Sequence, residues 1–302
     1  MRITGTAAFF SWLLAVAALL TGQTTLRVES TLVVVPVSVT DKANRFVIGL
    51  EKQNFRLYED GAEQKISQFS GEDVPLSIGI LVDISASMGS RIGTSRQAVA
   101  EFLKTMNAGD EAFLEEFNDR ATLQLSFTRA FDDITNRLAD VKSDGTTALI
   151  DAVDLGVTTM KDAHNPRKAL LLVSDGGENS SHYSAEAVKE AIQRADVQVY
   201  AMGVFDPLSK LLGMTSSGVS GPGFLANLCE QTGGREYAAG NYAALPTVAR
   251  RIGIELRNQY VLAFTPLNHE HTGDYRKLEV KVTPPDGMGE VKVRWRNGYY
   301  AK

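Results

Sequence analysis

Residues 76–87 read LSIGILVDISAS, and this stretch decides the fold. Its first part, Leu76 to Val82, is almost continuously apolar, as is typical of a strand buried on both faces of a parallel sheet. Asp83 follows directly, and Ser85 and Ser87 complete an Asp-x-Ser-x-Ser pattern where the strand ends. One carboxylate and two hydroxyls are oxygen ligands that suit a hard divalent cation such as Mg²⁺. Taken alone, the pattern also fits a capped turn at a helix start.

Two further oxygen-bearing residues stand at comparable positions. Thr147 begins an apolar helical run, and Asp175 follows the apolar strand 169–173 and precedes two glycines. The carboxyl ends of parallel strands meet at one crevice, so loops at these ends come together in space. The sequence therefore predicts a metal site built from Asp83, Ser85, Ser87, Thr147 and Asp175.

The region around these loops alternates strands and helices. The helix after the first loop has apolar residues at i, i+3, i+4 and i+7, namely Val99, Phe102, Leu103 and Met106. Two short strands are joined by a hairpin at residues 118–120, which places one of them at the sheet edge. Residues 74–258 are therefore predicted to form an α/β domain with a doubly wound, mostly parallel sheet.

Either side of this domain the apolar period changes to two. Residues 33–39 alternate in this way, Glu59-Asp60-Gly61 is a hairpin signal, and the tail repeats the alternation. Each flank is too short to close a stable sheet. We expect the segments 24–73 and 259–302 to fold together into one β-sandwich with the α/β domain inserted in it. The alternative is two separate β appendages.

The amino terminus has the architecture of a signal peptide, which we place at residues 1–23. Arg2 precedes an apolar stretch from Ala7 to Leu20, and small polar residues follow. The stretch is short for a membrane span, although an uncleaved anchor remains an alternative. No cysteine lies near the cleavage region, which disfavours a lipid anchor. We therefore expect a secreted, periplasmic or cell-surface protein.

Composition supports a globular protein and argues against nucleic acid as a partner. The 302 residues are 44% hydrophobic and carry a formal net charge of −5. No basic run is present to neutralise a phosphate backbone. Cys229 is the only cysteine, so no intramolecular disulfide can form, and its apolar surroundings predict a buried, unreactive thiol.

The sequence gives little support for a catalytic function, and we expect that the protein is not an enzyme. An aspartyl-phosphate phosphatase needs a second acid two residues after its nucleophile, and that position is Ser85. The nearest approach to Gly-x-Ser-x-Gly, residues 218–222, ends in proline. His182 is interpreted as a loop histidine. His269-Glu270-His271 lacks the spacing of a helical zinc site and is interpreted as a solvated loop.

The five-residue set resembles the metal-ion-dependent adhesion site of von Willebrand factor type A domains, and the resemblance extends from about Val74 to Tyr260. The flanks look like those of the secreted bacterial proteins called VWFA-related. The resemblance implies that the hydroxyls of Ser85, Ser87 and Thr147 approach the metal. It implies that Asp83 and Asp175 act directly or through water.

The resemblance further implies that one coordination position stays open for an Asp or Glu of a protein partner. The metal is expected to be Mg²⁺, with Mn²⁺ or Ca²⁺ as alternatives, and Gly145, Thr146 and Gly176 are expected to form the partner-binding rim. A second hypothesis is an exported structural or scaffold protein whose ion only stabilises the loops. The sequence predicts neither the partner's identity nor the oligomeric state.

Overall fold

The computed structural model describes residues 32–203, 222–239, 241–268 and 273–301. Its centre is the strand Leu76–Asp83, in which every residue is buried. This strand lies inside a six-stranded sheet and pairs in parallel with a neighbour on each side. The continuous apolar run predicted a strand that is buried on both faces, and the structure confirms this prediction.

The central sheet has the strand order β10-β9-β8-β5-β6-β7. All its neighbours are parallel except β6 and β7, an antiparallel hairpin that places β7 at the edge. The prediction of a doubly wound, mostly parallel sheet is confirmed. Its strands are β5 (Leu76–Asp83), β6 (Glu111–Phe117), β7 (Ala121–Thr128), β8 (Arg167–Val173), β9 (Gln198–Gly203) and β10 (Glu236–Ala238).

Helices cover both faces of this sheet. The described helices are α1 (Ile92–Leu103), α2 (Phe131–Ala139), α3 (Leu149–Thr159), α4 (Ala185–Ala195), α5 (Pro222–Gln231) and α6 (Leu245–Arg257). Apolar residues of α1, α2 and α6 pack on one face, and those of α3, α4 and α5 pack on the other. Helix α3 ends at Thr159, where the chain tightens into a 3-10 turn at Met160–Asp162. The Ser184 hydroxyl caps α4 by accepting from the Ala187 amide at 3.2 Å.

Two four-stranded antiparallel sheets flank the α/β layer. One has the order β13-β1-β11-β4 and the other β14-β12-β2-β3. Each sheet joins strands from both ends of the chain, which fits the predicted sandwich. The strands are β1 (Val33–Asp41), β2 (Phe55–Glu59), β3 (Ala62–Gln64), β4 (Ile66–Ser70), β11 (Tyr260–Phe264), β12 (Tyr275–Val282), β13 (Val291–Arg294) and β14 (Gly298–Tyr300).

The hairpin between β2 and β3 forms where the sequence indicated. Asp60 has φ 46° and Gly61 has φ 84°. Positive φ at both central residues is the geometry of the two-residue turn that matches strand twist. Inward side chains of both sheets, among them Val35, Leu57 and Phe264, form one apolar core.

Arg167, the first residue of β8, connects the central sheet to the chain segments that lead to the flanking antiparallel sheets. Arg167 is 2% exposed, and its side chain donates to the carbonyls of Val74 and Leu256 and to the side chain of Gln259. Helix α6 ends at Arg257, and β11 begins three residues later. Arg167 thus binds both the segment at which the chain enters the α/β layer and the segment at which it leaves.

Candidate metal centre

The first loop of the site begins where β5 ends. The Asp83 side chain is fully buried, and its Oδ1 accepts from the Ser85 amide at 2.9 Å. The chain then enters a 3-10 turn, Ala86–Arg91. Ser85 is buried, Ser87 is exposed, and their hydroxyl oxygens lie 3.0 Å apart. Two neighbouring hydroxyls therefore lie side by side here, that of the buried Ser85 and that of the exposed Ser87.

The second loop places Thr147 two residues before α3. Thr147 is 3% exposed, and its amide donates to Oδ1 of Asn179 at 2.8 Å. Its carbonyl accepts from the amides of Asn179 and Ser180 at 3.0 and 3.2 Å. The loop that follows β8 therefore fixes the backbone of Thr147, which leaves its hydroxyl free to face the site.

The third loop carries Asp175 and contacts both of the others. The hydroxyl of Ser174 donates to Asp83 Oδ2 at 2.6 Å and accepts from the Gly176 amide at 3.0 Å. A Cβ placed on Gly177 would lie 3.4 Å from both Asp175 Oδ1 and Thr147 Oγ1. These two oxygens thus border the same small space beside Gly177.

Backbone hydrogen bonds join the first two loops. The Ala86 amide donates to the Gly145 carbonyl at 3.0 Å, and the Asp144 amide donates to the Ile84 carbonyl at 2.9 Å. With the contacts of Thr147 and Ser174, all three loops are connected through protein atoms alone. The structure brings the loops of all five predicted ligands together at the carboxyl edge of the sheet.

The electrostatics of Asp83 favours a cation at this edge. Burial raises the pKa of the Asp83 carboxyl, the hydrogen bonds from Ser174 and Ser85 oppose this, and the negative charge of Asp175 raises it again. In the part of the chain that the structure describes, no Lys, Arg or His pairs with Asp83. A buried carboxylate with donors on both oxygens but no counter-charge is strongly stabilised by a positive ion.

The donor set fits a hard divalent ion. Its five side chains offer only carboxylate and hydroxyl oxygens, which suit Mg²⁺, Mn²⁺ or Ca²⁺. Within the described ranges, no group of three or more His, Cys, Asp or Glu side chains is placed to hold a metal ion, so the serine and threonine hydroxyls are an essential part of this donor set. Ser85, Ser87 and Thr147 would hold the ion through their hydroxyls. Because both Asp83 oxygens already accept hydrogen bonds, that carboxylate is suited to act through bound water.

The predicted rim residues differ in exposure. Thr146 is exposed and Gly145 is half-buried, whereas Gly176 is buried and offers a partner no exposed surface. Gly176 instead has φ 82° and forms the turn after Asp175. Gly145 has φ 81°, and a Cβ there would lie 2.4 Å from Oδ1 of Asp119. The same oxygen accepts from the Thr146 amide at 2.5 Å and from its hydroxyl at 2.7 Å, so Asp119 fixes the rim.

Three residues of the site were missed by the sequence reasoning. Ser174 immediately precedes the predicted ligand Asp175, and a polar residue beside a strand-end acid was an available signal for it. Asn179 lies four residues after Asp175 and had no comparable signal. Arg91 had no such signal. Its Nη1 lies 2.8 Å from Asp175 Oδ2, and 84 positions separate the two residues along the chain.

The other candidates do not add to this site. Cys229 is buried, and burial raises the pKa of its thiol, which confirms the predicted buried hydrophobe. His182 lies in an exposed loop and its Nδ1 is 2.8 Å from Asp151 Oδ2. The predicted signal peptide, the segment 218–221 and His269 to His271 lie outside the described residues. No helix within the described ranges has both the length and the apolar character needed to span a membrane.

Known structures with a similar fold include proteins of diverse sources. An aerotolerance-related membrane protein from Bacteroides fragilis shares 15% identity, with a TM-score of 0.47 over 60% of this chain and 98% of that one. The PilB minor pilin from Streptococcus sanguinis shares 12%, with a TM-score of 0.45 over 62% of each chain. Proximal thread matrix protein 1 from the mussel byssus, with a zinc-occupied MIDAS motif, shares 17%, with a TM-score of 0.49 over 66% and 49%.

No curated protein sequence matches the chain. The family model of the von Willebrand factor type A domain matches residues 78–178, a segment that begins in β5 and ends just after Asp175. This segment contains all five residues of the site. The chain therefore contains a von Willebrand factor type A domain.

Proposed function

We propose that this is an exported binding protein whose type A domain holds a divalent cation and captures a partner through an Asp or Glu side chain. The observation that carries the proposal is the convergence of two strand-end loops and the loop between α2 and α3 around two carboxylates and three hydroxyls. Mg²⁺ is the proposed ion, with Mn²⁺ and Ca²⁺ as alternatives. A carboxylate from the partner would complete both the coordination and the charge of the ion.

The connections between the loops favour this function over a purely structural ion. Backbone amides, Ser174 and Asn179 already join the three loops. An ion is therefore not needed to hold them together. Ser87 and Thr146 are exposed, so the site opens toward solvent where a partner has access. A structural or scaffold role for the ion stays as the competing proposal.

We propose binding without catalysis. The hydroxyl of Ser181 is hydrogen-bonded to Glu178 at 2.7 Å and to the Ile150 amide at 3.0 Å. The ring of His182 instead pairs with Asp151. The neighbouring serine and histidine therefore have separate partners and do not form a serine–histidine pair.

The first test is capture of a partner by the protein without residues 1–23. The bait is incubated with an extract of its own source in Mg²⁺ or in EDTA, beside the variants Asp83→Ala and Asp83→Asn. Asp286→Ala, at an exposed turn between β12 and β13, is the matched control. We expect partners that appear only with Mg²⁺ and are lost in both Asp83 variants but kept in the control.

A second measurement separates the two proposals. Thermal unfolding is followed with Mg²⁺, Mn²⁺, Ca²⁺ and Zn²⁺, since an ion that binds only the folded state raises the melting temperature. Metal-induced stabilisation combined with capture that is indifferent to EDTA and to Asp83→Ala supports the structural ion. Absence of any metal effect on Tm and on capture contradicts both proposals.

A further inference from the structure

Arg91 places a permanent positive charge at the edge of the proposed metal centre. Its Nη1 is 2.8 Å from Asp175 Oδ2, whereas Asp175 Oδ1 faces the Gly177 amide at 3.3 Å. The two oxygens of one carboxylate are therefore divided between a guanidinium on one side and the space shared with Thr147 on the other. Asp175 can meet a metal ion through Oδ1 while it keeps its contact with Arg91.

The guanidinium is held in place from a second direction. The Arg91 Cζ lies 4.5 Å from the ring centroid of Tyr242, in the 3-10 turn just before α6. The backbone of Arg91 ends the turn that carries Ser87, and its carbonyl accepts from the Ser95 hydroxyl at 3.3 Å. An aromatic face and a carboxylate together fix an arginine more firmly than an ion pair alone does.

The ion pair between Arg91 and Asp175 is expected to contribute little to the stability of the fold. The side chains of Arg91 and Asp175 are 32% and 14% exposed. Ion pairs that are partly open to water contribute little to stability. The charge of Arg91 would act more strongly on a divalent ion bound beside the same carboxylate, because such an ion carries twice the charge of a monovalent group.

The charges of the site define what Arg91 does. Asp83 and Asp175 contribute two negative charges, and Arg91 reduces the total to one. A divalent ion then leaves the site with one net positive charge, where the two carboxylates without Arg91 would make it neutral. The loaded site therefore still attracts one anion, and the guanidinium offers that anion a second positive partner.

We infer that Arg91 is a specificity-determining residue of this site, which weakens binding of the metal alone and favours a carboxylate over a neutral ligand at the metal-loaded site. The inference rests on the proposed function. Arg91 does not raise the affinity for a neutral ligand, whereas a carboxylate would be attracted by both the metal and the guanidinium. Linkage requires that the carboxylate raise the affinity for the metal by the same factor as the metal raises the affinity for the carboxylate.

The test measures Mn²⁺ affinity by calorimetry, in chloride and in acetate at equal ionic strength. The proteins are the wild type, Arg91→Gln and Arg91→Lys. Arg194→Gln is the matched control, because Arg194 also lies on a tyrosine ring, at 4.1 Å from the centroid of Tyr300, but in another part of the molecule. Unfolding of each metal-free protein checks that the fold is intact.

We expect Arg91→Gln to bind Mn²⁺ about tenfold more tightly than the wild type in chloride, the size expected for one unit charge near a divalent ion in a partly solvated site. Arg91→Lys keeps the charge and stays close to the wild type, and Arg194→Gln is unchanged. Acetate raises the Mn²⁺ affinity of the wild type and raises that of Arg91→Gln several-fold less.

Equal or weaker Mn²⁺ binding by a folded Arg91→Gln protein overturns the inference. An equal acetate effect in the wild type and Arg91→Gln also overturns it. If either result occurs while Mn²⁺ still binds the wild type and supports partner capture, the proposed function stands and only the role of Arg91 is lost. If Mn²⁺ binds neither protein, both the proposed function and the inference fail.

Discussion

Glu115 offers a quantitative test of how this fold treats a buried acid. It lies within β6, its side chain is fully buried, and neither carboxyl oxygen has a hydrogen-bond partner among the residues that the structure describes. Burial raises the pKa of Glu115 well above its ordinary value of 4.5, and the charge of Asp154 raises it further. We therefore expect the folded protein to keep Glu115 protonated at pH values where the unfolded chain has released that proton.

The sign of the effect on stability follows from this difference. The folded state holds one proton more than the unfolded state between pH 4.5 and the raised pKa. The free energy of unfolding therefore falls as pH rises through this window, by about 1.4 kcal/mol per pH unit. Glutamine has a similar shape and carries no titrating proton. The stability of Glu115→Gln relative to the wild type should thus increase with pH throughout this window.

Urea unfolding at a series of pH values between 4.5 and about 8 measures this difference directly. Glu279→Gln, at an exposed position of β12, is the control for loss of one acid from the chain. The diagnostic quantity is the slope of the stability difference against pH, because a constant offset reports only the exchange of a carboxyl for an amide. A difference that is flat, or that falls with pH, would refute a protonated Glu115.

Three substitutions and one labelling experiment test the packing. Arg167→Met should lower the free energy of unfolding by about 3 kcal/mol in urea titrations, because it leaves buried carbonyls unpaired; near-wild-type stability would contradict the anchoring role. Gly234→Ala places a Cβ 2.0 Å from the Val199 carbonyl oxygen and should prevent normal folding, whereas Gly93→Ala in α1 meets nothing within 4 Å and should add up to about 1 kcal/mol. Cys229 should react with a thiol reagent only after unfolding; labelling of the native protein would show that it is accessible.

The sequence predicted the parts of this structure that depend on local pattern. The apolar run before Asp83 indicated a fully buried strand, and the comparable run before Asp175 indicated a second loop at the same edge. Thr147 was identified from the apolar helical run that it begins. The Asp60-Gly61 pair indicated a tight hairpin turn. Each of these signals is contained within about a dozen residues, so neighbouring residues alone were sufficient.

The contacts that the sequence missed depend on long-range neighbours. Arg91 meets Asp175 only because the 3-10 turn after Ser87 bends the chain toward the loop that follows β8. Strand β6 was predicted in the correct place, yet the burial of all seven of its residues, three of them glutamates, was not foreseen. An acid at an alternating position normally faces solvent. Here helix α3 lies beside Glu115, helix α2 lies beside Glu116, and edge strand β7 pairs with β6, which together reverse that expectation.

Buried acids in this chain fall into groups that differ in their partners, and the comparison sets Asp83 apart. Asp110 pairs with Arg257 at 2.9 Å, and Glu59 pairs with Arg276 at 3.2 Å, so each has its own cation. Glu115 has neither a cation nor a hydrogen-bond donor in the described structure, an environment suited to a neutral carboxylic acid.

Asp83 combines features of both groups. Donors on both of its oxygens suit a charged carboxylate, as at Asp110, but no arginine or lysine of the described chain supplies the balancing charge. Packing does not require such a residue, since a hydrogen-bonded neutral side chain of the same shape would fill the position at lower electrostatic cost. The Asp83 site is thus built for a charge that the protein's own side chains leave uncompensated, and a bound cation is the species that fits it.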